Sequence, residues 1–402
     1  MLLTACTSNK SKKTTVSTDY LHVIDLSKTA PTVPLSEVFA SIQPVILETT
    51  NESLIGMISE VVVTPEYLIV HDRIQANALF LFKKDGTFLH KFGRIGGGPG
   101  EYFHISNFCY DNTTSTLYVF DGSAKRVNLY NIHTGSFLKS ITLQNDKGYS
   151  SYIYYQNGEL YSDLQHFTSE NEQYLLNKRN QTTGEIEESS LDLKTYSKNI
   201  DYIKRNPFLF GDGKSFKFNT TLMDGIVSVE KGKITPFLTF NPESLLSMDD
   251  LKGLSPHDPN RDNFSFYIGD PISSQAAKLT KSNQHKLFGI NHYFEYKDLI
   301  YMNFWLGGIM PKTLLYDKKT KDSKYLVMHE DDLMYKNNSV QHLAAFIAHD
   351  DNGLYAIHQD SRRLKALLEK DLISENFKSV AIKLANLEDD ANPFLLYYEF
   401  KE

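Results

Sequence analysis

Cysteine, tryptophan and long apolar runs are what this 402-residue chain has least of, and each shortage removes a class of protein. Two cysteines, Cys6 and Cys109, cannot form a disulfide framework. No stretch approaches the roughly 20 consecutive apolar residues of a spanning helix. Basic charge is in the minority: 42 Lys and Arg stand against 49 Asp and Glu, a net charge of −7. That balance leaves no basic face for a polyanion and excludes general nucleic-acid binding. Several catalytic signatures are missing too. There is no Gly-x-Ser-x-Gly elbow, and Met328-His329-Glu330-Asp331-Asp332 lacks the second histidine of a zincin and reads as a solvated acidic loop.

Aromatic residues are abundant, with 24 Tyr and 25 Phe, and they favour strands over helices. The strongest local feature is Phe92-Gly93-Arg94-Ile95-Gly96-Gly97-Gly98-Pro99-Gly100-Glu101-Tyr102. It is not a phosphate loop. The Lys-Ser/Thr ending is absent, Pro99 removes an amide donor, and Glu101 puts a negative charge where an anion would sit. Gly96, Gly98, Pro99, Gly100, Glu101 and Tyr102 are therefore expected to form a shaped structural turn between repeated modules.

The repeat shows when the chain is slid along itself. Leu117-Tyr118-Val119-Phe120-Asp121 falls on Leu68-Ile69-Val70-His71-Asp72, and Gly135 on Gly86, both at an offset of 49, with Gly184 a further 49 beyond Gly135. Strand-turn-strand units at a period of roughly 40 to 50 residues indicate propeller blades. Weaker copies fall at 207–241, 292–328 and 343–382. This predicts an all-β, six-bladed β-propeller over residues 20–402, with four-stranded antiparallel blades. A short, partly helical insertion over about 242–289 separates blades four and five. The ring is expected to close by pairing N-terminal material near Val45–Leu47 or Leu21–Leu26 with Phe394–Phe400.

At the N-terminus, Leu2-Leu3-Thr4-Ala5-Cys6 has the form of a bacterial lipobox, with Cys6 as the lipidated residue. Residues 1–5 are then the end of a signal peptide and 6–19, polar and almost free of apolar side chains, a flexible tether. Cys109, in the apolar run Asn107-Phe108-Cys109-Tyr110, is expected to be a buried, inert thiol.

With the Gly96-to-Tyr102 run, Leu81-Phe82-Lys83-Lys84-Asp85-Gly86-Thr87-Phe88 before it, Leu54-Ile55-Gly56, and the ending Asn392-Pro393-Phe394-Leu395-Leu396-Tyr397-Tyr398-Glu399-Phe400-Lys401, the chain resembles the six-bladed β-propeller lipoproteins of the Bacteroides group, which share the architecture of NHL-type propellers. The resemblance covers residues 20–402 and implies the fold and export to the cell envelope. Gly97 departs from the polar residue common at that position.

Function is expected where a propeller gathers its strand ends. Asp72 and Asp121 recur at one repeat position, so they are read as acceptors for loop amides. Arg73, Arg126, Trp305 and Arg362 are the candidate ligand contacts, because Arg and Trp supply directional and stacking contacts that a turn does not require. His349-Asp350-Asp351-Asn352-Gly353 has a calcium-loop look but the chemistry of a hairpin turn. The expected function is a non-enzymatic binding or scaffold module without a cofactor or resident metal. Its partner would be a glycan, a peptide or an envelope protein, and its membrane attachment the lipid alone. The expected location is the outer membrane, facing the periplasm, since no acidic residues follow Cys6 directly. The alternative is a calcium-dependent propeller hydrolase or lyase acting on a sugar or lactone.

Overall fold

The run Leu79-Phe80-Leu81-Phe82 is apolar at every position because both faces of its sheet are buried: Leu79 and Leu81 pack toward one neighbouring blade, Phe80 and Phe82 toward the other. A computed structural model describes residues 12–14, 19–27, 31–144, 148–164, 166–167, 174–192, 206–211, 214–220, 223–247, 249–250, 281–307, 310–326, 331–336, 345–358 and 361–401. Six antiparallel sheets stand in a ring and form a β-propeller. Blade one is Glu60–Val63, Tyr67–Asp72, Ala78–Lys83 and Phe88–Phe92; blade two is Asn107–Asp111, Thr116–Asp121, Arg126–Asn131 and Phe137–Thr142. Blade three comprises Ile153–Gln156, Glu159–Asp163, Tyr174–Arg179 and Ile186–Asp192. Blade four is Phe208–Leu209, Phe216–Phe218, Gly225–Glu230 and Lys233–Phe240, and blade five Leu287–Tyr296, Leu299–Leu306, Met310–Asp317 and Ser323–Leu326.

The first strand of each blade lies at the axis. Asn107, opening blade two, accepts the amide of Ile153, opening blade three, at 2.8 Å. Among the described residues the core consists of six clusters, each filling the space between adjacent blades. Val61 meets Ala348 and Leu395 between blades one and six, for example, and Phe120 meets Ile153 and Leu160 between blades two and three. Cys109 is buried in the latter cluster, which pushes its thiol well above the ordinary range and leaves it unreactive.

The repeat glycines have a backbone reason. Gly86, Gly135 and Gly184 sit at φ of +92°, +67° and +74° in the hairpins before each fourth strand, and a β-carbon on Gly86 would fall 1.9 Å from the Ile46 carbonyl oxygen.

Blade six is assembled from both ends of the chain. Ala345–His349 and Gly353–His358 are followed by Phe394–Phe400, and the outermost strand is the N-terminal Phe39–Ile46, with Val45 opposite Leu395. Ring closure thus uses the first of the two expected segments. The expected span of blade six, 343–382, is corrected: its third strand lies further on, and the interval holds helices α1 (Ser361–Glu369) and α2 (Lys378–Ala385). Leu364 and Leu367 from α1 and Ala381 and Leu384 from α2 are buried against blade six, the spacing of a one-sided helix.

Leu21–Leu26 has a different task. His22–Ile24 runs parallel to Leu238–Phe240 at the outer edge of blade four, Thr32–Val33 parallel to Tyr325–Leu326 on blade five, and Lys12–Thr14, within the segment expected to be a tether, parallel to Glu188–Ser190 on blade three. Cys6 and most of 242–289 lie outside the described residues; within the latter, Pro242–Ser244 is a 3-10 turn.

Candidate functional site

One face of the ring carries the blade-to-blade connections and the loops between second and third strands. Its scaffold is a repeated aspartate. Asp72 accepts the amides of Gly56, Met57 and Gln75; Asp121 those of Phe103 and Ala124; Asp163 those of Ser151 and Tyr152. In each case a carboxylate at the end of a second strand holds the connection leading into its own blade.

The glycine-rich connection is held in the same spirit. Glu101 Oε2 accepts the Gly98 amide at 2.8 Å and Oε1 accepts from Arg94 Nε at 2.6 Å, so the turn supplies its own anion and the Glu101 carboxyl is held below its ordinary range, first by the Gly98 amide. Alternate residues of the third strand of blade two grip its far side: Arg126 and Asn128 donate to the Glu101 carbonyl at 2.6 and 2.9 Å, and Tyr130 to that of Gly100 at 2.9 Å. Arg126 is thereby occupied in part by the fold.

The other candidate contacts sit in three separate places. Arg73 follows the second strand of blade one and faces Glu60, its Nη2 3.8 Å from Oε2. Trp305 is half-buried near the end of the second strand of blade five, and its Nε1 donates to Asn291 Oδ1 at 2.6 Å. Asn291 donates on to Asn303, and Asn303 to Thr313, a polar ladder across the blade that fixes the indole edge. Arg362, the second residue of α1, is 78% exposed, with Nε 3.5 Å from Asp389.

Arg362 lines a sizeable groove. Helices α1 and α2 and the return strand stand beside the connection into blade one, leaving about 580 Å³ between Ser361, Arg362, Arg363, Glu388, Asp389, Asn392, Ile55 and Gly56. The base is fixed by Asn392, which accepts the Ile55 amide and donates to the Glu48 and Ser53 carbonyls. Sequence reasoning found Arg362 but missed Glu388, Asp389 and the helices that present them.

Asp350, in the hairpin with a calcium-loop look, accepts from Lys84, Tyr355, Tyr397 and the amides of Asn352 and Gly353, so its oxygens serve the joint between blades six and one. Among the described residues, no three His, Cys, Asp or Glu side chains gather as metal ligands would, and no helix is long and apolar enough to cross a membrane.

Solved structures share this architecture. A Bacteroides fragilis NCTC 9343 protein predicted to be exported superposes with a TM-score of 0.73 at 19% identity, covering 96% of this chain and all of its own. A member of the DUF4221 family from Bacteroides vulgatus ATCC 8482 has a TM-score of 0.50 at 10% identity, covering 90% of this chain and 98% of its own. No curated protein matches the sequence. The model of DUF4934, a domain of unknown function, matches residues 21–399, and with nearly the whole propeller inside that match the chain belongs to the DUF4934 family.

Proposed function

We propose that this protein is a lipid-anchored, binding propeller of the bacterial cell envelope, attached through Cys6 and recognising a polar peptide or glycan segment in the groove beside Arg362. The groove itself is the observation that carries the reading. It is lined by side chains of both charges, and Arg362 and Asp389 are 78% and 82% exposed and 3.5 Å apart. Their mutual attraction is small at such exposure, so a ligand can replace it at little cost. The wall formed by the start of α1 and the segment after α2 is an addition to the blade pattern, as expected of a specificity element on a common scaffold.

The test is a binding screen of envelope glycans and peptides on the soluble domain, with and without calcium. Arg362→Ala and Asp389→Ala should each weaken any hit by about tenfold, the loss of a charge-assisted hydrogen bond. Hits whose affinity is unchanged in the folded double variant would refute the groove as the site. For the anchor, Cys6→Ser should release the protein from the membrane fraction or leave an uncleaved precursor. Protease treatment of intact cells should spare the domain if it faces the periplasm.

A further inference from the structure

Blades one to three begin around a polar cluster that the hydrogen bonds of the scaffold leave largely unused. Glu60 opens the first strand of blade one and pairs across the ladder with His71. Glu60 Oε2 lies 4.0 Å from His71 Nδ1 and 3.8 Å from Arg73 Nη2, both beyond hydrogen-bond reach. His71 is fully buried, yet neither of its ring nitrogens has a partner among the described residues, nor does the buried Nε of Arg73. Phe108 of blade two closes one side, edge-on to the imidazole at 5.6 Å. On another side stands Tyr152, just ahead of the first strand of blade three. Burial pushes its phenol up to about 12, so it keeps its proton at neutral pH, and the charges of Arg73 and Glu60 both reach it.

Buried nitrogens without partners are rare, and each carries a desolvation cost. Here the two side chains that carry them, His71 and Arg73, both face the Glu60 carboxylate. Glu60 and Arg73 remain 25% and 34% exposed, which opens the cluster to solvent on the connection face. An oxygen about 2.8 Å from each group would bridge such gaps. We infer that this cluster is a second binding site, for a neutral polyhydroxylated ligand such as a sugar ring, whose hydroxyls donate to Glu60 and accept from Arg73 and His71. The pairing of charges selects the class. An anion meets Glu60 and a cation meets Arg73, whereas a hydroxyl both donates and accepts and so satisfies each. Phe108 and Tyr152, 2% and 7% exposed, close the cluster on its buried side, so a ligand meets it past Glu60 and Arg73.

This site is independent of the groove at Arg362, and the experiment separates the two. Saturation-transfer NMR is run on the intact protein with methyl glucoside, methyl mannoside and methyl galactoside, and with glucuronate and glucosamine as charged comparators. At least one neutral glycoside should bind, more tightly than either comparator. Its affinity should fall about tenfold or more in Glu60→Gln and Arg73→Met and stay unchanged in Arg362→Ala. Each variant is checked for a native melting profile, and Arg73→Lys serves in place of a variant that fails it. Failure of all three neutral glycosides to bind at millimolar concentration overturns the proposal. So does binding that is preferential for glucuronate or glucosamine, or that survives both cluster variants. Loss in Arg362→Ala alone would assign the sugar to the groove and equally overturn it.

Discussion

Replacing Glu295 by Gln should be among the most damaging single changes in the molecule, although it alters neither shape nor volume. Glu295 lies on the first strand of blade five, where Lys217 of blade four meets its Oε1 at 2.8 Å and Lys318 its Oε2 at 2.9 Å. The Lys217 and Glu295 side chains are only 2% and 3% exposed. The Lys217 contact is an ion pair without the alignment of a hydrogen bond, so its worth is chiefly charge neutralisation. Without the carboxylate, Lys217 keeps among the described residues Ser215 Oγ at 2.9 Å and the Phe237 ring 4.4 Å from its nitrogen. Removing one partner of a buried pair costs about 3–5 kcal/mol, most of it the uncompensated charge. Lys318 is 20% exposed and can turn to water, so Lys318→Met should cost much less, about 1 kcal/mol. Lys217→Met combined with Glu295→Leu removes both buried charges and should recover most of the loss. Urea unfolding followed by fluorescence reads this directly, because the one tryptophan, Trp305, is in blade five. A Glu295→Gln midpoint matching the native protein, or a double variant worse than the single, would refute the reasoning.

Truncation after Asn392 removes the strand paired with Phe39–Ile46 and should lower the melting temperature of the whole ring; unchanged melting would contradict closure through that strand. Gly86→Ala, at φ +92° with a carbonyl oxygen 1.9 Å from the new carbon, should cost clearly more than Gly158→Ala, at φ +81° with nothing within 4 Å, which should cost about 1–2 kcal/mol; paired denaturation curves compare them. Asp331, expected in a solvated acidic loop, is instead buried, and burial raises its carboxyl to about 6, against accepted bonds from Tyr398 and the Leu333 and Met334 amides. A folded value above the unfolded one stabilises fully below about pH 4 and is lost as pH rises through about 6. Stability of the native protein relative to Asp331→Asn should therefore fall by up to about 3 kcal/mol between pH 4 and 7, and a flat difference across that range would count against it.

Much of the fold was legible because a propeller repeats its local chemistry. Asp72 and Asp121 occupy one structural position with one set of duties, and Gly86, Gly135 and Gly184 one left-handed turn, so a fixed offset exposed the blades. The closing pair of strands, Phe394–Phe400 against the segment around Val45, was expected, but the span of the sixth blade was misplaced because two helices stand between its second and third strands. Helices α1 and α2 had a signal in Leu364 and Leu367, and in Ala381 and Leu384, that the expectation of a strand suppressed. The candidate contacts fared unevenly for a related reason. Arginine marks directional chemistry without saying whether the partner is a ligand or the chain itself: Arg126 bonds the Glu101 carbonyl, while Arg362 reaches into open space. Of the cluster of Glu60, His71, Arg73 and Tyr152 only Arg73 was picked out, since its neighbours come together only where blades one and three approach each other.

The N-terminal segment joins the architecture to the proposed anchoring. Its strands sit on the outer edges of blades three, four and five in order before it completes blade six, spaced so that Lys12–Thr14, His22–Ile24 and Thr32–Val33 start ten residues apart. Ten residues of extended chain span up to about 35 Å, enough to step from the rim of one blade to the next. Each step covers an edge that would otherwise present unpaired amides and carbonyls to another sheet. If Cys6 carries the lipid, only five residues separate it from Lys12, a reach of about 20 Å at most. The membrane would then hold the ring by the rim of blade three, leaving it little freedom to drift or turn. The connection face would be presented in a restricted orientation, and the polar groove with it.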